Sequence, residues 1–216
     1  MTDERNPQPI VRVGATAESS VVPDIALFTI SFGNRCKTHQ ACADDFANEQ
    51  RKAIDILSTF GLGGDLKFSG YSSYAHRAGK KGIIDGYDYS CWGTLRIPRE
   101  NYDIHAICQA LSDSKLHASL RLTFELDNER SAEDALIDKA VARARHSAET
   151  LAHAAGMELG GVCEIRYQSG GGPFLRMCSD FAAPSSASDD GPEFEPEPID
   201  IECHVDVDWW LVEPAS

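Results

Sequence analysis

The chain lacks long apolar runs. None of its 216 residues lies in a stretch near the roughly 18 consecutive apolar residues that a membrane-spanning helix needs, so we expect no membrane span. The opening residues, MTDERNPQP, are polar and acidic. A secretory signal would instead begin with a basic segment followed by an apolar one. The sequence therefore predicts a cytoplasmic location and a disordered N-terminus over residues 1–9. An envelope location is the alternative if a signal peptide has been removed from the start of the chain.

Positive charge is missing from the last part of the chain. No Lys or Arg follows Arg176, whereas eleven carboxylates do, and they supply −11 of the formal net charge of −14. Nucleic acid binding requires clustered cations that neutralise phosphates, so we expect no nucleic acid partner. Binding to an anionic membrane surface is disfavoured for the same reason.

The seven cysteines are odd in number and show no repeated C-x2-C spacing. This pattern favours reduced thiols buried as small hydrophobic residues over a disulfide framework. One run, C-x2-H-x2-C, offers Cys36, His39 and Cys42 as candidate zinc ligands. No second cluster is spaced to complete a tetrahedral site, so a short turn with core-facing thiols is the preferred interpretation. We expect no cofactor.

Motifs for nucleophilic catalysis and phosphate binding are also missing. The sequence contains no G-x-S-x-G, and Cys203 and His204 are strand neighbours whose side chains point to opposite faces. The glycine run at 170–172 has neither the lysine nor the following helix of a phosphate loop. We therefore expect a protein without enzymatic activity.

The chain does contain a long helical segment with a distinctive face. Residues 128–161 predict one helix that begins in a capping box of Ser131 and Asp134 and ends at Gly156. Its predicted buried face is mostly alanine: Leu136, Ala140, Ala144, Ala148, Leu151 and Ala155. A face this narrow allows the helix to approach a sheet closely.

Period-two and period-3.6 patterns place the other elements. Strands are predicted at 10–16, 24–33, 65–75, 83–97, 116–126, 162–167 and 199–212, and helices at 38–60 and 99–113. The order β-β-α-β-β-α-β-α-β-loop-β predicts an α+β fold, with a long β-hairpin in a mixed or antiparallel sheet and about three helices packed on one side. We expect a single domain over residues 10–216 with a flexible Gly/Pro/Ser/acidic loop at 169–198.

The hairpin segments carry aromatic side chains and the one compact basic cluster of the sequence. The aromatic residues include Tyr71, Tyr74, Tyr87 and Tyr89, and the basic residues at the tip are Arg77, Lys80 and Lys81. An aromatic ribbon of this kind can form an interface, or it can serve cross-strand pairing within one sheet. Both interpretations stay open at this point.

The last strand places charged side chains about 7 Å apart on its outward face. They are Asp200, Glu202, His204, Asp206 and Asp208. The row offers ligands for a hard cation, although solvated charges that protect an edge are the preferred interpretation. We hypothesise that the basic hairpin tip contacts the acidic strand or loop of a neighbouring subunit in a homo-oligomer.

Four stretches resemble the SIMPL-domain family, which includes YggE-like proteins and a periplasmic immunogenic protein of Brucella. They are Pro23-Asp24-Ile25-Ala26, then Gly86-Tyr87 with its alternating strand, then LTFELD with AVARARHSAETLAHAAGMELGGVCEI, and the closing HVDVDWWL. The resemblance runs from about residue 10 to residue 212. It departs from the family at two places: of the usual glycine pair in the first strand only Gly14 is present, and a signal peptide is missing.

The resemblance implies a family without a settled enzymatic activity. Some members are similar to ring- or channel-like homo-oligomers, and others are linked to stress responses or kinase-signalling scaffolds. We accordingly expect a non-enzymatic, self-associating SIMPL-domain protein with a stress- or assembly-related role. The alternative is a binding or scaffold module that recruits a protein or small ligand through the aromatic hairpin and the 169–198 loop.

Overall fold

The computed structural model describes residues 8–79, 82–169 and 196–214. Within these ranges the elements are β1 (Ile10–Val21), β2 (Ile25–Cys36), α1 (His39–Ser58), β3 (Lys67–Ala78), β4 (Ile83–Pro98), a 3-10 turn (Arg99–Asn101), α2 (Ile104–Asp113), β5 (Ala118–Glu125), α3 (Glu129–Ala154), β6 (Glu158–Ser169) and β7 (Ile199–Val212). The predicted α+β class and element order are confirmed. Two predictions fall mainly outside the described residues: disorder at 1–9 and a flexible loop at 169–198.

The strands form two antiparallel sheets rather than the single sheet expected. One has the order β1-β7-β6 and the other β3-β4-β2-β5. The physical reason is the pairing of the first and last strands, which runs from Ile10 opposite Trp210 to Val21 opposite Ile199. The chain correspondingly divides into two compact units, the first containing β1, α3, β6 and β7 and the second containing the other elements.

In the first unit, α3 packs on one face of the three-stranded sheet. The helix buries a continuous i, i+4 strip: Leu136, Ala140, Ala144, Ala148 and Ala152. The prediction was wrong for the last turn, because Leu151 is 51% exposed and Ala155 is also exposed. The predicted start was wrong as well, since Asn128 is the cap and its Oδ1 accepts from the Ser131 amide at 3.0 Å. The stop is confirmed, with Gly156 at φ +72°.

In the second unit, α1 and α2 pack on the four-stranded sheet around Phe28, Ile30, Phe32, Leu95 and Ile97. Thr38 caps α1, because its Oγ1 accepts from the Ala41 amide at 3.1 Å. The buried positions of α1 are Cys42, Glu49, Ala53 and Leu57. Ala47, on the same helix, is exposed. No helix in the described ranges combines the length and apolarity that crossing a bilayer requires.

Candidate functional site

The predicted acidic row lies on the outer face of the first unit, but its strand is not at an edge. β7 is the middle strand and pairs with β1 on one side and β6 on the other. Asp200 and Glu202 are exposed as expected, while His204 is half-buried and bonds to Thr16 Oγ1 through Nδ1 at 2.9 Å. The idea that this row protects a sheet edge is therefore wrong. Among the described residues, no group of three His, Cys, Asp or Glu side chains is placed to hold a metal ion.

The prediction of a fully solvated row is wrong at Asp208, which is only 2% exposed. Arg12 donates to Asp208 Oδ1 through Nε at 2.9 Å and to Oδ2 through Nη2 at 2.9 Å. Arg166 donates to Asp208 Oδ1 at 3.1 Å. The hydrogen bonds from Arg12, joined by the charge of Arg166, hold the pKa of Asp208 below its usual value. The sequence contained both arginines, but only the strand register brings them to this carboxylate.

Cys36, His39 and Cys42 do not converge on one point. The Cys42 thiol is buried and donates to the carbonyl of Tyr87 at 3.3 Å, whereas His39 Nδ1 lies 2.8 Å from Ser73 Oγ. Burial raises the pKa of the Cys36 thiol to about 11, and a hydrogen bond with Cys42 adds to the shift. A thiol with such a pKa is protonated at neutral pH, which is unfavourable for metal binding and for nucleophilic attack.

The aromatic residues of the hairpin divide between core and surface. Tyr89 is 2% exposed and its hydroxyl donates to Asp45 Oδ2 at 2.9 Å, so its placement on an interface surface is wrong. Burial, with this bond to a carboxylate, raises the pKa of Tyr89. Tyr87 is half-buried against the His39 ring, with 4.0 Å between ring centroids. Tyr71 is 43% exposed and stacks on Tyr89, with centroids 6.1 Å apart.

The outer half of the hairpin carries a charged cluster. Asp88 accepts from Arg35 Nε at 2.8 Å through Oδ1, and its Oδ2 lies 2.9 Å from His76 Nδ1. The hydrogen bond from Arg35 is the main cause that lowers the pKa of Asp88, and His76 contributes in the same direction. Tyr74, opposite Asp88 in the strand register, is 56% exposed. This cluster fixes the base of the hairpin where it leaves the sheet.

The hairpin extends beyond the sheet as a two-stranded ribbon. β2 pairs with β4 only as far as Tyr87, whereas β3 continues to Ala78 opposite Ile83. The ribbon exposes Ile83 by 66% and Ile84 by 47%. Arg77 lies at its tip and donates through Nη1 to the carbonyl of Gly82 at 3.0 Å. Lys80 and Lys81, the other members of the predicted basic tip, lie outside the described residues.

The chain matches a known family. A family model named SIMPL, described as a protein of unknown function (DUF541), matches residues 11–209. The chain belongs to the SIMPL family. No curated protein matches it. The SIMPL match extends over both compact units, and its description assigns no activity.

Two features of the resemblance have structural explanations in this SIMPL protein. Asp24, from the Pro-Asp segment, accepts from the Asp127 amide at 2.7 Å through Oδ1 and from the Arg99 amide at 2.8 Å through its carbonyl. It therefore joins the ends of β4 and β5 to the start of β2. At Gly14, a Cβ would lie 2.9 Å from Asp206 Oδ1, so glycine lets the Asp206 side chain lie over β1.

Proposed function

We propose that this SIMPL protein is non-catalytic and acts in the cytoplasm as a self-associating assembly protein, with the end of the β3–β4 hairpin contacting a second copy. The observation that carries the proposal is the two-stranded ribbon of residues 76–78 and 83–86, which continues after β2 has ended. A ribbon of two strands is marginally stable in water unless a third surface packs against it.

The apolar side chains of the ribbon support a protein contact. Ile83 and Ile84 are adjacent in β4, so they point to opposite faces of the ribbon. Both are exposed, which means that neither face is covered by the described part of the chain. Burying an exposed isoleucine side chain contributes about 1.5–3 kcal/mol, which is enough to make the ribbon end an energetic centre of an interface.

A second copy also presents negative charge that complements the positive charge at the ribbon end. Arg77 at the tip is exposed, and the same chain presents the exposed carboxylates Glu18, Asp200 and Glu202 on its other unit. Glu18 and Glu202 lie directly opposite each other on β1 and β7. Like charges in that position repel each other, so a cationic side chain from a second copy would stabilise them.

The test measures the mass of the full chain in solution by light scattering across a range of concentrations. We expect an oligomer that dissociates when Ile83→Ser and Ile84→Ser are combined. The matched control is Ile10→Ser with Val22→Ser, which removes two comparably exposed apolar side chains elsewhere and should leave the mass unchanged. A wild-type monomer at every concentration would overturn self-association and favour the alternative, a module that recruits another protein or a small ligand.

A further inference from the structure

Strand β6 carries apolar side chains that α3 covers only in part. Ile165 and Tyr167 lie opposite Val207 and Val205 of β7, so all four share the helix-side face of the sheet. The two valines are 0% and 1% exposed, whereas Ile165 is 54% and Tyr167 is 42% exposed. α3 reaches β6 at Leu159, which packs on the core under the helix, and at Tyr167, whose hydroxyl donates to Glu133 Oε1 at 2.5 Å. Between them Ile165 stays exposed in the described part of the chain.

The same strand forms one edge of its sheet. Within residues 8–79, 82–169 and 196–214, β6 pairs with β7 alone. Its second row of backbone N–H and C=O groups is thus available for another strand. β1, at the opposite edge, differs in its side chains, because Val13, Ala15 and Ala17 are all buried in the core under α3. An apolar surface next to an edge that no described strand pairs distinguishes β6 from β1.

The charges of β6 identify the strand that would fit there. Glu164 and Arg166 flank Ile165 on the polar face of the sheet, and within one chain they form an ion pair of 2.8 Å. When two identical antiparallel strands pair around a two-fold axis, one residue lies opposite its own counterpart. With the axis at Ile165, each Glu164 lies opposite the Arg166 of the second copy. An axis at Glu164 or at Arg166 would place the two copies of that charged residue directly opposite each other. Like charges in that position destabilise a sheet.

We infer that two copies of this chain associate through β6, in antiparallel pairing centred on Ile165, to give a continuous six-stranded sheet. The inference rests on the proposed self-association and names a second contact, separate from the hairpin. The pairing satisfies the free edge of β6 and brings the two exposed Ile165 side chains together on the helix side. On the other face it places the Glu164 of each copy opposite the Arg166 of the other copy.

The pairing predicts a specific cross-link. Directly opposed residues in antiparallel strands have Cα atoms about 4.5–5.5 Å apart, which is within the range that a disulfide spans. We expect Ile165→Cys, in a background with Cys163→Ser and Cys178→Ser, to form a covalent dimer when the full chain is oxidised with oxidised glutathione. Most of the chain should then run at twice the monomer mass in non-reducing electrophoresis and return to monomer with a reductant.

The matched control is Gln168→Cys in the same background. Gln168 is also exposed on β6, but around an axis at Ile165 its two copies would be separated by roughly 20 Å along the strands. It should therefore give little covalent dimer. Equal cross-linking of the two variants, or no cross-linking of Ile165→Cys in a chain that light scattering shows to be oligomeric, overturns the β6 pairing and leaves the hairpin contact standing. A monomeric wild type overturns both.

Discussion

Arg12 and Asp208 face each other across the first and last strands, 196 residues apart in the sequence, and form a bidentate ion pair. Arg12 Nε lies 2.9 Å from Oδ1, and Nη2 lies 2.9 Å from Oδ2. A bidentate guanidinium–carboxylate pair fixes orientation as well as charge. The pair therefore helps to hold the two ends of the described chain in one register, with β7 in the middle of the sheet.

Asp208→Asn should make the protein less stable at neutral pH and less sensitive to acid. The hydrogen bonds from Arg12 hold the pKa of Asp208 below its ordinary 3.8 in the folded state. Such a carboxylate contributes stability that is present above the unfolded-state pKa and is lost as the pH falls through the lower folded-state pKa. We expect the Tm difference between wild type and variant to be largest near pH 7 and to shrink below about pH 3.8.

The control for this prediction is Asp200→Asn, because Asp200 is exposed on the same strand. Its Tm should follow that of the wild type across the same pH range. If Asp208→Asn and Asp200→Asn gave the same pH profile, the ion pair with Arg12 would not be a source of the acid sensitivity.

Glu49→Ala should destabilise the second unit. Glu49 is 2% exposed on α1, and it accepts from Lys52 Nζ at 2.6 Å and from the His117 amide at 2.8 Å. Burial opposes its ionisation, but these two bonds outweigh burial, so that the pKa of Glu49 is lowered. Removal leaves the His117 amide without this acceptor, which costs about 1–3 kcal/mol.

Denaturant unfolding followed by circular dichroism measures the effect of Glu49→Ala. Asp55→Ala is the matched control, since Asp55 is an exposed acid on the same helix and its loss should change stability by less than about 0.5 kcal/mol. Equal midpoints for the two variants would contradict a structural role for Glu49.

Ala144→Leu should destabilise the first unit by overpacking. Ala144 is 0% exposed, at the middle of the alanine strip by which α3 packs on its sheet. Extra methylenes in a close-packed contact cost about 1–3 kcal/mol. The same substitution at Ala142, which is exposed on the same helix, adds similar volume without a clash. Thermal unfolding should therefore separate the two leucine variants, and equal Tm values would be evidence against close packing of α3.

Tyr89→Phe should lower stability by about 1.5 kcal/mol, because it removes a buried hydrogen bond to a charged acceptor. Tyr74→Phe removes the same hydroxyl group from a tyrosine that is 56% exposed, and we expect a change within about 0.5 kcal/mol. Chemical denaturation measures both. A larger loss of stability for Tyr74→Phe than for Tyr89→Phe would favour the surface position of Tyr89 that the sequence suggested.

Local patterns predicted some features well and others only in part. α3 ends at Gly156, which adopts a left-handed conformation. A glycine at the end of a helical pattern predicts such an end directly from the sequence. The start of α3 was harder, because Asn128 and Ser131 are both good caps and the structure uses the earlier one. Glu49 was missed because a glutamate on a helix normally faces solvent, although Lys52 at i+3 was a signal that a partner was near.

The sequence by itself determined the order of the elements, the inward alternation of β7 and the alanine face of α3, since each depends on a period of two or 3.6 residues within one segment. Only the tertiary structure decided that there are two sheets, that β7 is central, that two arginines bind the buried Asp208 and that α3 covers β6 only in part. These features depend on which distant strands pair and on how far one helix reaches across them. The residue pattern within one segment contains no information on strand pairing or on the reach of a helix.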